Sequence, residues 1–192
     1  MTVTRIIRGA KGGVGNTTVA TLLAQGASQR GRTLLIDTTG TGDCLSILGM
    51  PFSFTRATEN GETIQALTNL DVAGKNYNGF GDDYDTVIID AGTTNPTLGG
   101  LEITGHTTVV TTLCYLSLKN LMANDTPDEI IVLKEKGRAL NVQDVESITN
   151  MKVYVVIPRD PAVARAIDAG MLTTRFSQFE GLGWVQSLLV AA

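Results

Sequence analysis

The fold of this chain is decided by one short stretch, residues 10–18, which reads A-K-G-G-V-G-N-T-T and directly follows Gly9. Its glycines and hydroxyl resemble the phosphate-binding loop pattern G-x-x-x-x-G-K-[ST], with Gly9 opening the loop, Gly15 closing it and Thr17 supplying the hydroxyl, although five residues rather than four separate the two glycines. The lysine of that pattern is replaced by Asn16. The stretch therefore predicts a phosphate cradle that lacks its usual cation.

The segments on either side of the loop alternate between strand-like and helix-like patterns. Residues 3–8 predict a strand before the loop, and residues 17–29 carry apolar side chains at helical spacing after it. Five further apolar runs predict strands covered on both faces, at 33–36, 86–89, 107–113, 129–133 and 153–157. Helices are predicted at 142–149 and 162–169. This alternation indicates βαβ units, and we predict a three-layer α/β fold with a mostly parallel central sheet.

Two regions have weaker patterns. Residues 51–83 contain clusters of Gly, Asn and Asp, and we predict a variable surface excursion with a short helix near 63–67 followed by a mobile stretch. Residues 176–192 carry apolar side chains three residues apart and predict a C-terminal helix that packs on the sheet or on a partner subunit. With 192 residues, the chain is expected to form one domain over 1–192.

Composition narrows the class of protein. The chain has 43% hydrophobic and 18% charged residues, and its net charge is 15 − 19 = −4, so the molecule as a whole is not a basic nucleic-acid binder. Cys44 and Cys114 have no metal-ligand spacing and are expected to be reduced, buried thiols. The N-terminus lacks a signal-peptide pattern, and no apolar run reaches the roughly 18 residues that span a membrane, which predicts a cytoplasmic protein.

The sequence K-G-G-V-G-N-T-T resembles the loop K-G-G-x-G-K-[ST] of the ParA/MinD family, which comprises deviant Walker A P-loop ATPases of partition and cell positioning. Further resemblance lies in R-G-R-T-L-L-I-D at 30–37, D-D-Y-D-T-V-I-I-D-A-G at 82–92, V-V-T-T-L-C-Y-L-S-L-K-N-L at 109–121 and V-I-P-R-D-P-A-V-A-R-A-I-D-A-G at 156–170. These segments cover most of the chain in the family's order. The resemblance implies the P-loop NTPase fold, ATP and Mg²⁺ as cofactors, and a nucleotide-sandwich dimer.

The resemblance also implies roles for individual residues. Lys11 corresponds to the family's signature lysine, which reaches across the dimer to the partner's phosphates. Thr17 and Asp90 correspond to the magnesium side of the site, and Lys134 lies where the family often has an asparagine near the adenine. The expected phosphate cradle consists of Gly12, Gly13, Val14, Gly15, Asn16, Thr17 and Thr18.

Two departures from the family pattern lie on the hydrolysis side. Asn16 donates hydrogen bonds but carries no charge, and a charge-assisted bond contributes about 1.5–3 kcal/mol against about 1 for a neutral one. In the switch after the second strand, Asp37 is kept, but Thr39 stands where a second aspartate positions the attacking water. We expect weakened binding and slow or absent hydrolysis. The alternative, in which Lys11 and Asp43 compensate and turnover is normal, stays open.

ParA-like proteins bind DNA without sequence preference through basic residues at a dimer edge. The candidate contacts here are Lys134, Lys136, Arg138, Arg165 and Arg175, whose targets would be phosphates. The resemblance implies a homodimer or filament, DNA and a centromere-binding adaptor as partners, and a nucleoid-associated or polar location; membrane binding is not expected because the tail lacks basic flanks. A second hypothesis is a positioning scaffold, similar to pilus-assembly or division-site relatives, for which nucleotide is optional.

Overall fold

A nine-stranded sheet forms the middle layer of the structure. The computed structural model describes residues 2–49, 55–58, 61–79, 83–98, 100–124 and 126–190. Within these ranges the strands are β1 (Val3–Gly9), β2 (Thr33–Asp37), β3 (Thr55–Thr58), β4 (Gly61–Leu67), β5 (Leu70–Gly74), β6 (Thr86–Asp90), β7 (Thr97–Leu98), β8 (Leu101–Glu102), β9 (His106–Thr112), β10 (Glu129–Lys134) and β11 (Val153–Pro158). The sheet order is β11-β10-β9-β1-β6-β2-β5-β4-β3, and β7 pairs with β8 separately.

Seven neighbouring strands of the sheet, from β11 to β5, are parallel, whereas β4 and β3 continue the edge in antiparallel pairing. Parallel neighbours need a crossover, and helices supply most of these connections. The helices are α1 (Asn16–Ser28), α2 (Asp43–Leu48), α3 (Tyr115–Ala123), α4 (Val142–Thr149), α5 (Pro161–Asp168), α6 (Leu172–Arg175) and α7 (Gly183–Val190), with a 3₁₀ turn at Phe176–Gln178. The predicted α/β fold with a mostly parallel sheet is confirmed.

Alternate side chains of the strands face two separate cores. On one face, helices α1, α2, α5, α6 and α7 cover strand residues such as Ile88, Val110 and Ile131. On the other face, α3 and α4 cover Val109 and Ile130. Adjacent residues such as Val109 and Val110 therefore point to opposite layers, which is why these strands are almost continuously apolar in sequence.

Part of the second face is covered by connecting segments rather than by helices. Tyr77, Tyr84, Leu98 and Ile103 pack there against β1, β2 and β6. The burial of Tyr77 shows that the stretch after β5 is packed into the core, so the expectation of a free surface excursion is wrong at this point. Residues 51–54, 59, 60 and 80–82, which belong to the same predicted excursion, lie outside the described residues.

The short helix expected near residues 63–67 is also wrong, because this segment belongs to strand β4. β4 pairs with β5, and β5 adds to the sheet beside β2, with Leu70 opposite Thr33 and Gly74 opposite Asp37. Leu70 and Val72 are buried, so β5 contributes to the core. Pairing with an existing strand outweighs the local helix preference of this stretch.

The C-terminal helix begins at Gly183 rather than at residue 176, and residues 176–178 form a 3₁₀ turn; residues 191–192 lie outside the described part. Val185 and Leu188 of α7 join the core beside α1, as expected for packing on the protein itself. The contact is close, because a Cβ atom on Gly26 of α1 would lie 2.4 Å from a methyl of Val185. None of the described helices has the length and apolar character needed to cross a bilayer.

A buried ion pair ties the N-terminal and C-terminal halves of the sheet together. The guanidinium of Arg5 on β1 donates to Glu129 Oε2 on β10 at 2.7 Å and to the carbonyl oxygen of Leu188 on α7 at 2.7 Å. Thr108 of β9 donates to the same carboxylate oxygen at 3.2 Å. His106 Nε2 lies 3.1 Å from the other oxygen of Glu129. This pair connects β1, β9, β10 and α7.

Candidate phosphate-binding site

The loop between β1 and α1 is fixed by the ends of the neighbouring strands. The Gly9 N–H donates to the Gly92 carbonyl at 2.7 Å, and the Ala10 N–H donates to the Val110 carbonyl at 2.8 Å. A Cβ atom on Gly9 would lie 2.8 Å from Asn16 Oδ1 and 2.9 Å from a methyl of Val14. Only glycine fits at this first position without moving the loop.

The rest of the loop leads into an open helix N-terminus. Gly13 (φ 74°) and Gly15 (φ 99°) adopt left-handed conformations that favour glycine, and Gly15 is the N-cap of α1. Among the described residues no side chain caps this helix end, and a Cβ atom on Gly12 or Gly13 would meet open space. The free N–H groups of an uncapped first turn and the positive end of the helix dipole favour an anion such as phosphate.

Asn16 points away from this opening and into the protein. Its side chain is buried, and Nδ2 donates to Asp90 Oδ1 at 2.7 Å. The same oxygen accepts from the Gly92 N–H at 3.1 Å. The structure therefore places Asn16 against the predicted magnesium-side carboxylate, with the amide in contact with Asp90 rather than in the open cradle where a loop lysine would meet phosphate.

Strand register brings two carboxylates together below the loop. Asp37 ends β2 and Asp90 ends β6, and the two residues are direct partners in the parallel ladder. Cys44, on α2, lies beside them, with Sγ 3.7 Å from Asp90 Oδ2. All three side chains are buried. Burial, followed by the charges of Asp90 and Asp37, raises the pKa of the Cys44 thiol well above its usual value.

The switch segment after β2 forms a chain of hydroxyl contacts. Thr39 donates to Asp37 Oδ1 from both its N–H and its hydroxyl, and its hydroxyl lies 2.8 Å from that of Thr41. Thr41 in turn donates to Asp43 Oδ2 at 2.8 Å. Asp43 is thus linked to Asp37 through Thr39 and Thr41. The hydroxyl of Thr39 is directed at Asp37, and position 39 offers no carboxylate to a water molecule.

Lys11 lies at the mouth of the loop, half-buried, with Nζ 3.5 Å from the Gly12 carbonyl oxygen. Its charge reaches Cys114, the N-cap of α3, which sequence reasoning expected to be buried but which is partly exposed. Burial raises the pKa of the Cys114 thiol, but hydrogen bonds with Ser117 and Thr112, together with the Lys11 charge, outweigh it and lower the pKa to about 7.

The candidate DNA-contact residues lie on three parts of the chain, namely the end of β10 with the turn that follows it, α5 and α6. Lys134 and Lys136 are exposed at the end of β10. Arg138 beside them forms an ion pair with Glu135, which also pairs with Arg159 at 2.9 Å. The hydrogen bond from Arg138 and the neighbouring positive charges lower the pKa of Glu135.

The other two candidates, Arg165 and Arg175, are exposed on the separate helices α5 and α6. Near Lys134 and Lys136 the acidic Glu135 offsets part of the positive charge.

Most of the residues predicted for the site lie together in the structure. The loop residues 12–18, Asp37, Asp90 and Thr39 gather at the carboxyl ends of β1, β2 and β6, where open α/β sheets bind ligands. Sequence reasoning missed Cys44 in this group, because nothing in its spacing from Asp37 indicates that the start of α2 turns back over the strand ends. The sequence offered one indication, a cysteine expected to be buried that follows a strand ending in aspartate.

Comparisons with known proteins agree on the fold. No protein-family model matches the chain, and no curated protein matches it. Among solved structures, a ParA family ATPase from Chlorobium tepidum superposes with a TM-score of 0.74 at 18% identity, covering 95% of this chain and 96% of that one.

Two further solved structures carry nucleotide. MinD from Pyrococcus horikoshii, complexed with Mg-ADP, gives a TM-score of 0.65 at 17% identity over 94% of this chain and 91% of that one. A plasmid partition protein from Borrelia burgdorferi bound to AMPPNP superposes with a TM-score of 0.65 at 16% identity, covering 93% of this chain and 100% of that one. The chain therefore has the three-layer P-loop fold of ParA and MinD proteins, as the sequence resemblance predicted.

The donor groups of the site fit a nucleotide and a divalent cation. The uncapped N-terminus of α1 and the open space at Gly12 and Gly13 fit the phosphates. Asp37 Oδ2 is buried without a hydrogen-bond partner among the described residues, which is the kind of oxygen that a cation satisfies. Thr17, in the first turn of α1, and Asp90 complete the predicted magnesium side.

Proposed function

We propose that this protein is a single-domain, ParA-like positioning protein that binds ATP and Mg²⁺ weakly and hydrolyses ATP slowly or not at all. The observation that carries the proposal is the uncapped, glycine-lined N-terminus of α1 beside the strand ends that carry Asp37 and Asp90. The relatives of known structure that share this fold include proteins crystallised with nucleotide, which supports ATP and Mg²⁺ as cofactors.

In the proposed complex, the backbone of residues 12–18 would cradle the phosphates, and Thr17, Asp90 and Asp37 would hold the magnesium ion directly or through water. The bound Mg²⁺ would neutralise charge on the phosphate oxygens. Lys11, at the mouth of the loop, would act across a dimer on the partner's nucleotide.

Slow turnover follows from two features of the site. The Asn16 amide is engaged by Asp90, so position 16 supplies no charge to the developing negative charge of the γ-phosphate, and Lys11 of a partner would be the loop cation that remains. The Thr39 hydroxyl is engaged by Asp37 and cannot accept a proton from water as a carboxylate does. Binding relies mainly on backbone groups, which both substitutions leave in place.

Nucleotide binding is the first test. Titration of the full chain with a fluorescent ATP analogue and Mg²⁺ is expected to show saturable binding. Lys11→Ala should retain binding by the monomer but lose the ATP-dependent dimer in analytical ultracentrifugation. Lys152→Ala is the matched control, because this lysine is 89% exposed and pairs with Glu146. Absence of binding at millimolar ATP in all three proteins would remove the nucleotide-dependent proposal.

Partition of DNA is the finer part of the proposal, with a homodimer or filament, a centromere-binding adaptor and a nucleoid-associated or polar location in the cytoplasm. It is supported by the exposed Lys134 and Lys136 at the same sheet edge as the loop. Co-sedimentation with DNA should require ATP and weaken steeply between low and physiological salt, because phosphate contacts release counterions. Replacing both lysines by glutamine should reduce the salt dependence, whereas replacing Arg165 and Arg175 tests the second group separately.

A second candidate function, a positioning scaffold for which nucleotide is optional, is favoured by the contacts within the site. Asn16 with Asp90, and Thr39 with Asp37, satisfy polar groups that a nucleotide and its cation would otherwise engage. Light scattering after enzymatic removal of all nucleotide distinguishes the two functions. Ordered assembly under that condition supports the scaffold, and assembly only after addition of ATP supports the nucleotide-dependent protein.

A further inference from the structure

Three potential metal ligands meet beneath the loop. One carboxylate oxygen each of Asp37 and Asp90 and the sulfur of Cys44 all lie within 4.8 Å of one another. Asp37 is 4% exposed, and the other two residues are fully buried. The three residues come from β2, α2 and β6, so the strand ends and the start of α2 hold them in place.

The charge of this cluster is not balanced by neighbouring side chains. In the part of the chain that the structure describes, neither Asp37 nor Asp90 forms an ion pair with Lys, Arg or His. Two buried carboxylates this close to one another need a positive charge or a proton. The loop position that holds a lysine in the usual pattern holds Asn16, whose neutral amide donates to Asp90 and brings no charge.

One oxygen of each aspartate accepts no hydrogen bond from a backbone, amide or hydroxyl donor of the described residues. Asp37 Oδ1 is used by Thr39, whereas Asp37 Oδ2 is buried with no hydrogen-bond partner among the described residues. Asp90 Oδ1 is used by Asn16 and Gly92, whereas the partner of its Oδ2 within the described part of the chain is the Cys44 sulfur, at 3.7 Å.

The distance of 3.7 Å between Cys44 Sγ and Asp90 Oδ2 suits two ligands of one metal ion. Zinc bonds of about 2.3 Å to sulfur and about 2.1 Å to oxygen place tetrahedral ligands about 3.6 Å apart. The distance from Cys44 Sγ to Asp90 Oδ2 is close to this value, so these two atoms need little movement to share a metal.

We propose that Asp37, Cys44 and Asp90 bind a thiol-accepting divalent metal ion of the zinc or cobalt class, in the absence of nucleotide, in place of the missing loop lysine. As the metal–sulfur bond forms, the Cys44 thiol proton is released to solvent, and the ion balances the two carboxylates. Mg²⁺ prefers oxygen ligands only, so the sulfur selects against it. This inference does not rest on the proposed nucleotide function, because it concerns the chain without nucleotide.

Cobalt is the most direct probe, since Co²⁺ occupies zinc sites and its bond to sulfur absorbs in the near ultraviolet. Metal-free full chain, freed of nucleotide, is titrated with Co²⁺ and then with Zn²⁺. The expected result is one Co²⁺ per chain with a sulfur-to-cobalt absorption band that Zn²⁺ removes and that a large excess of Mg²⁺ leaves intact.

Variants assign the ligands. Cys44→Ser should abolish the band, and Asp37→Asn should weaken Co²⁺ binding by at least about tenfold. Cys114→Ser is the matched control, because it removes the other thiol of the chain and should leave the band unchanged. Asn16→Lys should also weaken binding by at least about tenfold, since the new ammonium group competes for the same carboxylates. Circular dichroism establishes that each variant is folded.

Several outcomes would overturn the proposal. These are no Co²⁺ or Zn²⁺ binding to the nucleotide-free chain, a band that survives in Cys44→Ser, or a band that disappears in Cys114→Ser. Binding that appears only after ATP is added would also overturn it, while leaving the proposed nucleotide function intact. Absence of ATP binding together with retained cobalt binding would instead remove the nucleotide proposal and leave the metal site intact. The two proposals therefore fail separately.

Discussion

Replacing Asn16 by lysine should restore the charge that the loop lacks. Asn16 is 7% exposed and its amide contacts Asp90, so a lysine there would start beside Asp90, and its longer side chain would have to turn from Asp90 to the loop to meet a bound phosphate. A charge-assisted hydrogen bond is stronger than a neutral one by about 0.5–2 kcal/mol. This difference corresponds to roughly two- to thirtyfold tighter binding of ATP.

Turnover should rise by more than affinity in Asn16→Lys. Removing one donor to a developing oxyanion costs about 10²–10³ in rate in well-studied enzymes, so restoring one can give up to about a hundredfold while Thr39 still limits water activation. The assay measures phosphate release at saturating ATP, with and without DNA, beside a titration of ATP affinity. Asn16→Met is the control, because its side chain has a length close to that of lysine without the charge.

The reasoning fails if Asn16→Lys binds ATP more tightly than Asn16→Met but hydrolyses it no faster than the unmodified chain. It fails also if Asn16→Met gives the same gain as Asn16→Lys, because length rather than charge would then be responsible. If the unmodified chain hydrolyses ATP as rapidly as Asn16→Lys, Lys11 and Asp43 already compensate for Asn16 and Thr39.

Three further predictions concern packing and thiol chemistry. Glu129→Gln leaves the buried charge of Arg5 uncompensated and should lower the free energy of unfolding by about 3–5 kcal/mol in urea denaturation. Gly26→Ala should destabilise the fold by about 1–3 kcal/mol, because the added methyl meets Val185 at 2.4 Å and this overpacking exceeds the gain in helix propensity. Cys114, with its pKa lowered to about 7, should react with iodoacetamide at a rate that rises up to about pH 8 and then levels as the thiolate fraction saturates.

Each of these has a control within the chain. Glu146→Gln breaks the exposed pair with Lys152 and should cost less than about 1 kcal/mol. Gly183→Ala places its methyl in open space at the start of α7 and should be neutral or stabilising. Cys44, buried and with a raised pKa, should remain unmodified in the folded protein. Equal effects in a variant and its control would contradict the corresponding explanation.

The loop, the parallel sheet and the two aspartates were accessible from sequence because each has a local signal. Glycines at fixed offsets before a helical pattern define the loop, and continuous apolar runs define strands covered on both faces. Asp37 and Asp90 end two such runs, and the carboxyl ends of parallel strands lie at one edge of the sheet. Most of the predicted elements lie within one or two residues of their observed bounds, as in β1 and α4.

The failures occur where long-range pairing decides the structure. Residues 61–67 contain helix-forming side chains and are a strand because β4 pairs with β5, which in turn pairs with β2. Residues 176–182 carry helical spacing, but Gly181 and Gly183 weaken a helix there, and α7 begins only at Gly183. Tyr77 has polar neighbours in sequence and is buried because the second face of the sheet needs a cover.

By itself, the sequence determined that a glycine-rich loop joins a buried strand to a helix, and that the lysine of the loop is missing. The tertiary structure alone decided what Asn16 does in its place, because the partner of its amide, Asp90, is 74 positions away in the chain. It also placed Cys44 beside both aspartates. Such contacts depend on strand register and on the return of α2 over the strand ends, and no local pattern encodes either of these.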